Sequence, residues 1–179
     1  MFDWFNRVNV RLYLGQAMTG LRQDLIYKHN IEMTEALELH GIIVLSPVTE
    51  EGVQPNKRKL DQPSQEQLAN FWQRDKELIR SSHLLLDITG TSVSEGLKHE
   101  IGLVRYFLFK PVVRILELKG PSVAIEEDDI LVKDIEEAAK LIIEKFGTPK
   151  KRLLWKYTLF RRCFLPYLKT RLFWCFDWI

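Results

Sequence analysis

The sequence predicts an α/β fold, a three-layer sandwich built on a mostly parallel sheet of 4–5 strands in the flavodoxin or Rossmann manner. Two observations carry this. Short apolar runs alternate with longer amphipathic ones in the order β-α-β-α-β-α-β-α, the pattern that winds helices onto a parallel sheet. One of the short runs, "HLLLDI" at 83–88, is apolar on both faces, as expected of a strand buried in a parallel sheet.

The elements follow in order. "VNVRLYLG" alternates Val8, Val10, Leu12 and Leu14 and reads as the first strand. Residues 23–41 follow as a helix, with Leu25, Ile26, His29, Met33, Ala36, Leu37 and His40 on one face and Gly41 as its C-terminal cap. "IIVLSP" is a second strand stopped by Pro47, and 48–63 is a polar loop. Ser64 opens the next helix, with Gln67 completing a capping box. The third strand, 83–88, leads through a Gly/Ser turn into the next helix at 97–109. "PVVRILEL" is the fourth strand, and 131–147 is a final helix closed by Gly147.

With 179 residues, 46% hydrophobic and 28% charged, the chain is long enough for one globular domain with a sizeable core. The net charge of +2 conceals an asymmetry. Residues 150–179 carry eight Lys/Arg against one acid, leaving the rest at −5, and nine of the chain's 20 aromatics fall in that stretch. The expected division is therefore a body, 1–149, and a basic aromatic C-terminal segment, 150–179. Cys163 and Cys175 have no histidines at metal-ligand spacing, which points to a reducing compartment and to no metal or cofactor. "MFDWFNRVNV" lacks the basic start and long apolar block of a signal peptide. The expected location is cytoplasmic, with peripheral association at the inner face of a membrane a further expectation.

In parallel sheets ligands bind outside the carboxyl ends of the strands. After the first strand comes "YLGQAMTGLRQ". Gly15 and Gly20 have the wrong spacing for a dinucleotide fingerprint, and a Walker A lysine is missing. Arg22 at a helix start suits an anion, and it also suits solvent. After the third strand, Thr91, Ser92 and Ser94 offer hydroxyls for phosphate ahead of Gly96 and Glu100. Asp75, Asp87 and Glu100 are three carboxylates expected near one strand end. A carboxylate can attack a sugar carbon while another moves protons; equally, Asp75 can pair with a neighbouring cation and Glu100 with Arg105. His29, His40, His83 and His99 are scattered, and none is given a catalytic role.

Three blocks together resemble the nucleoside 2-deoxyribosyltransferase family, which includes 2'-deoxynucleoside 5'-phosphate N-hydrolases: "YLGQAMTGLRQDLIY", "RDKELIRSSHLLLDI" and "SVSEGLKHEIG". They lie in the family's order and span about residues 8–116. The resemblance implies that Glu100 is a nucleophile at the anomeric carbon, that Asp75 protonates or orients the departing base, and that Tyr13 holds Glu100 or the sugar. Gly15, Gln16, Arg22, Asp87, Ser92, Ser94 and Gly96 would contact substrate. It implies a nucleoside or nucleotide substrate, no cofactor, and a homo-oligomer. Ser94 stands where transferases commonly carry aspartate and the phosphate hydrolases serine, which with Arg22 favours hydrolysis of a monophosphate. Gln16 replaces a small residue common in the family and is a candidate for contact with the base.

The C-terminal segment lies outside the resemblance. Pro166 should kink or break it, and it is too basic and broken to span a bilayer. Interleaved cations and aromatics suit a membrane surface, packing on the body or a partner subunit, or, less well, single-stranded nucleic acid. The rival to an enzyme is a non-catalytic nucleotide-binding sensor tethered by this segment; another is a glycohydrolase acting on a different N-ribosyl compound.

Overall fold

The computed structural model describes residues 10–16, 23–50, 64–89, 95–115, 125 and 127–164. Five strands form one sheet: β1 (Arg11–Gly15), β2 (Ile43–Leu45), β3 (Leu84–Asp87), β4 (Val112–Ile115) and β5 (Ile130–Val132). Their order is β2-β1-β3-β4-β5, and every pairing is parallel. This is the doubly wound arrangement of flavodoxin, whose topological switch point falls between β1 and β3.

Two helices cover each face. On one side, α1 (Gln23–Glu38) and α5 (Ile135–Phe146) pack Leu37, Ala138, Ala139, Ile142 and Phe146 on Leu12, Leu14, Leu84, Leu86 and Val113. On the other, α3 (Gln65–Ser81) and α4 (Glu95–Gly102) bring Ile79, Leu97 and Ile101 onto Tyr13, Leu85 and Val112. A single turn, α2 (Pro47–Glu50), follows β2. β3 and β4 are buried at every position, the consequence of covering both faces.

Local chemistry sets the boundaries. The capping box at α3 is present: Ser64 Oγ accepts from Gln67 N–H, and Gln67 Oε1 accepts from Ser64 N–H. Gly41, at φ +76°, takes the left-handed turn after α1 that other residues adopt reluctantly. Leu25 is half-exposed and turned away from the face expected for it, while Asn30 is fully buried there.

Further expectations change, and the loop expected from residue 48 opens with the helical turn α2. The segment read as helix from 131 begins as β5, because Asp134 caps the helix only at its own position, accepting from Glu137 N–H at 2.8 Å. The helix expected through 109 widens after Gly102 into a π-helical turn, Leu103–Phe107. The extra residue in that turn buries Val104 and Arg105 side by side.

At the far end of α3, Lys110 is buried and its Nζ donates to the carbonyls of Ile79, Arg80 and Ser82 at 2.6–2.8 Å. A lysine at a helix C-terminus satisfies orphan carbonyls and opposes the helix dipole.

The first half of the basic segment docks on the body. Thr148 caps α6 (Pro149–Leu159), with Pro149 in its first turn. A second π-helical turn, Phe160–Phe164, continues it. Trp155 meets Phe146 edge-on at 5.4 Å, Phe160 meets Phe109 at 5.5 Å, and Leu159 is buried. Each buried ring or leucine contributes about 1.5–3 kcal/mol of hydrophobic stabilisation. Leu153, Leu154 and Tyr157 remain outside, each more than half exposed. Pro166 and the residues after it lie outside the described residues. No helix among the described residues is long and apolar enough to cross a membrane.

Candidate active site

β1 ends in a glycine against which α4 packs closely. A Cβ added at Gly15 would stand 2.8 Å from Leu97 Cδ1 and 3.7 Å from Glu100 Oε2. Leu97, Glu100, Ile101 and Val104 recur at helical spacing, so the face of α4 that seeks the core also carries Glu100 inward. Glu100 is only 9% exposed. Its carboxylate therefore lies over the carboxyl end of β1, at the switch point of the sheet.

The strand register extends this point into a row. Gly15 pairs with Asp87, and Asp87 with Arg114. Alternation places all three on the side of the sheet that holds Tyr13, Leu85 and Val112. Tyr13, two residues before Gly15, has no exposed surface.

Asp75 comes from α3, one turn before the buried Ile79 and on the same face. α3 runs into β3, so its earlier turns lie toward the carboxyl edge of the sheet. Trp72, on the same stretch of α3, meets His99 of α4 edge-on at 6.4 Å, which ties the two carboxylate-bearing helices together. Asp75 is 8% exposed, and burial raises its pKa from 3.8 to about 6, partly opposed by the positive charge of Arg74. Its Oδ1 has no hydrogen-bond partner among the described residues. A carboxyl so placed holds a proton close to neutrality, which is what protonating a leaving group requires.

Asp87 has different surroundings. Its Oδ1 accepts from Thr89 N–H at 2.8 Å, and its Oδ2 lies 3.9 Å from Arg114 Nη1. Arg114 Nε also reaches Asp129 Oδ2 at 3.0 Å, and Arg105 pairs with Asp129 from the π-helical turn. Burial raises the Asp87 pKa, while the Thr89 backbone N–H and Arg114 oppose the rise. Asp87 thus borders the row as one member of a buried network of two carboxylates and two guanidinium groups. Such networks hold only when each charge is compensated.

Gln16, immediately after β1, is held from the side of α1. Its Oε1 accepts from Asn30 Nδ2 at 3.1 Å, Asn30 Oδ1 accepts from Ser46 Oγ at 2.8 Å, and Ser46 Oγ accepts from Val48 N–H at 3.2 Å. This chain fastens the ends of β1 and β2 to α1. Gly96 is exposed in the first turn of α4. Arg22, Thr91, Ser92 and Ser94 lie outside the described residues.

Sequence reasoning missed Asn30, Ser46, Arg114 and Asp129, and it named Arg105 only as a partner for Glu100, where the structure pairs it with Asp129. Two of them carried a signal. Asn30 interrupts the apolar row Ile26, Met33, Leu37, and Arg114 interrupts the buried run VVRI. A polar residue at a core position must find partners, so it marks a network.

The parallel sheet and its covering helices are similar in fold to a solved enzyme of nucleoside chemistry. A solved 2-deoxyribosyltransferase of Bacillus psychrosaccharolyticus is 20% identical to the chain, with a TM-score of 0.53 over 73% of this chain and 90% of that one. The CMP N-glycosidase of Clostridium botulinum is 17% identical, with a TM-score of 0.41 over 74% of this chain and 97% of that one. No protein-family model matches the sequence, and neither does any curated protein.

Proposed function

We propose that the protein cleaves the N-glycosidic bond of 2'-deoxynucleosides or their 5'-monophosphates. The observation that carries this reading is the approach of Glu100 Oε2 to Gly15 at the switch point. The fold shared with a solved 2-deoxyribosyltransferase supports it.

Glu100 attacks C1' of the deoxyribose. The bond to the base breaks and its electron pair leaves with the base. Asp75 supplies a proton to that base, consistent with a carboxyl whose pKa burial raises to about 6. Water then attacks C1' of the glutamyl ester, gives up a proton to Asp75, and returns Glu100 as a carboxylate. A second base in place of water yields a new nucleoside. Tyr13, closed to solvent, supports Glu100 from beneath rather than touching the sugar. Gln16 contacts the base, beside Gly15 and Asp87; the hydrogen bond from Asn30 that holds its side chain supports this. Arg22, Ser92, Ser94 and Gly96 hold the 5'-phosphate, which favours hydrolysis of monophosphates over transfer. The enzyme acts in the cytoplasm as a homo-oligomer, without a cofactor.

The experiment is to incubate the protein with deoxynucleoside and ribonucleoside monophosphates and follow free base by chromatography. Base from the deoxy series is expected, and a new nucleoside on adding a second base would assign transfer. Nucleotide-dependent thermal stabilisation without base release would favour the non-catalytic sensor instead.

A second reading concerns location. Leu153, Leu154 and Tyr157 are exposed on α6 beside Lys150, Lys151 and Arg161. Exposed apolar groups ringed by cations suit the surface of an anionic bilayer. Flotation with liposomes should carry the wild-type chain and leave L153E/L154E behind.

A further inference from the structure

The amino edge of the sheet, opposite the candidate active site, contains a cavity of about 200 Å³. It opens between the end of α3, the start of β3, the residues before β4, and α6. Its lining includes Arg80, His83, Lys110, Arg152, Trp155 and Lys156, and among the described residues that line it there is no carboxylate.

These cations are not equivalent. Lys110 is committed to three carbonyls of α3, and Arg152 Nη1 donates to Phe146 O at 2.9 Å. Both are structural caps. Arg80 and Lys156 are exposed and meet no carboxylate among the described residues. His83 stands among all of them. Its Nδ1 accepts from Arg11 N–H at 3.0 Å, which leaves Nε2 as the ring's remaining polar atom. Burial, followed by the charges of Arg152, Lys110, Arg11 and Lys156, lowers its pKa from 6.5 to about 4. Positive charge from β1, the 110–111 segment and α6 therefore converges on one partly enclosed point. A concave wall of one sign focuses the field and concentrates counter-ions. Trp155, Phe146 and Pro111 supply its apolar side.

We infer that this cavity is a second anion site, taking a phosphate group through Arg80, Lys156 and His83. The chemistry fits the phosphate of a small soluble compound and equally that of a lipid headgroup, since Leu153 and Leu154 lie exposed on the helix that provides Lys156. The inference does not depend on the glycosidic reading, because the cavity and that site lie at opposite edges of the sheet.

The test uses the full chain and two probes, inorganic phosphate and phosphatidylcholine vesicles with or without phosphatidylglycerol. The four histidines of the chain can be followed by NMR. A bound anion offsets the surrounding positive charge, so the His83 titration midpoint should rise from about 4 toward its ordinary value. R80E/K156E, folded by circular dichroism, should weaken binding by about a hundredfold or more, since two charge-assisted contacts are lost. Saturable phosphate binding that moves His83 assigns a soluble ligand. Binding only to phosphatidylglycerol vesicles, lost in R80E/K156E, assigns a headgroup. Phosphate binding that leaves His83 unmoved belongs to the carboxyl edge and overturns the inference, as does binding unchanged in R80E/K156E or absent with both probes. If the double variant does not fold, K156A and the His83 midpoint in the wild-type chain decide.

Discussion

At Gly15 a single hydrogen atom in place of a methyl group allows a helix to set its glutamate over the end of a strand. Gly15→Ala should fold, because the atom that a new Cβ meets, at 2.8 Å, is the end of the Leu97 side chain. Leu97 must then move, at about 1 kcal/mol of stability for a modest overpacking. Base release should fall by about tenfold or more, because the new methyl and the shifted Leu97 side chain crowd the Glu100 carboxylate. Thermal melting with initial rates of base release checks both. Asp75 makes a prediction of opposite sign. Its folded pKa lies near 6 and the ordinary value is 3.8. Between those values the folded chain binds more protons than the unfolded one, so stability falls as pH rises through that window and stays reduced above it. Asp75→Asn removes the penalty. The variant should be more stable than wild type by about 1–3 kcal/mol well above pH 6 and nearly equal near pH 4. Denaturation across pH measures this. The same proton sets the rate, so base release by the wild type should decline as pH rises through about 6.

Elements show why some of the fold was legible and some was not. α3 announced itself through Ser64 and Gln67, whose side chains cap the first turn. β3 was readable because a strand covered on both faces has no room for alternation. β5 has three residues, and only Lys133 and the cap at Asp134 separate it from α5. The π-helical turn at 103–107 has no residue signature, because a wider turn is a choice of hydrogen-bond partner. Of the candidate site, Tyr13, Gly15, Asp75 and Glu100 lie in local motifs that the sequence itself displays. The partners that orient Gln16 and Asp87 come from α1, β2, β4 and the turn before β5, and only tertiary structure brings them there. Lys110 is the test at this scale. Burial holds its pKa down to about 8, and its three carbonyl partners close the end of α3. Lys110→Met should destabilise the fold by about 2–4 kcal/mol, since several buried acceptors lose their donor. Urea denaturation reads it directly.

Across the whole molecule, chemistry divides between the two edges of one sheet. The carboxyl edge gathers Asp75, Asp87 and Glu100; the amino edge gathers Arg80, Lys110, Arg152 and Lys156 around His83. The basic segment, foreign to the resemblance that covers residues 8–116, reaches the second edge through α6 and leaves the first untouched among the described residues. The account of catalysis stands on the carboxyl edge, and on Glu100 in particular. Its most direct test is the rate of free-base release from deoxynucleoside 5'-monophosphates by the wild-type chain and by Glu100→Ala. The wild type should release base, and the variant should be slower by at least about a thousandfold, because its nucleophile is gone. No release by the wild type, or equal release by the variant, would contradict it.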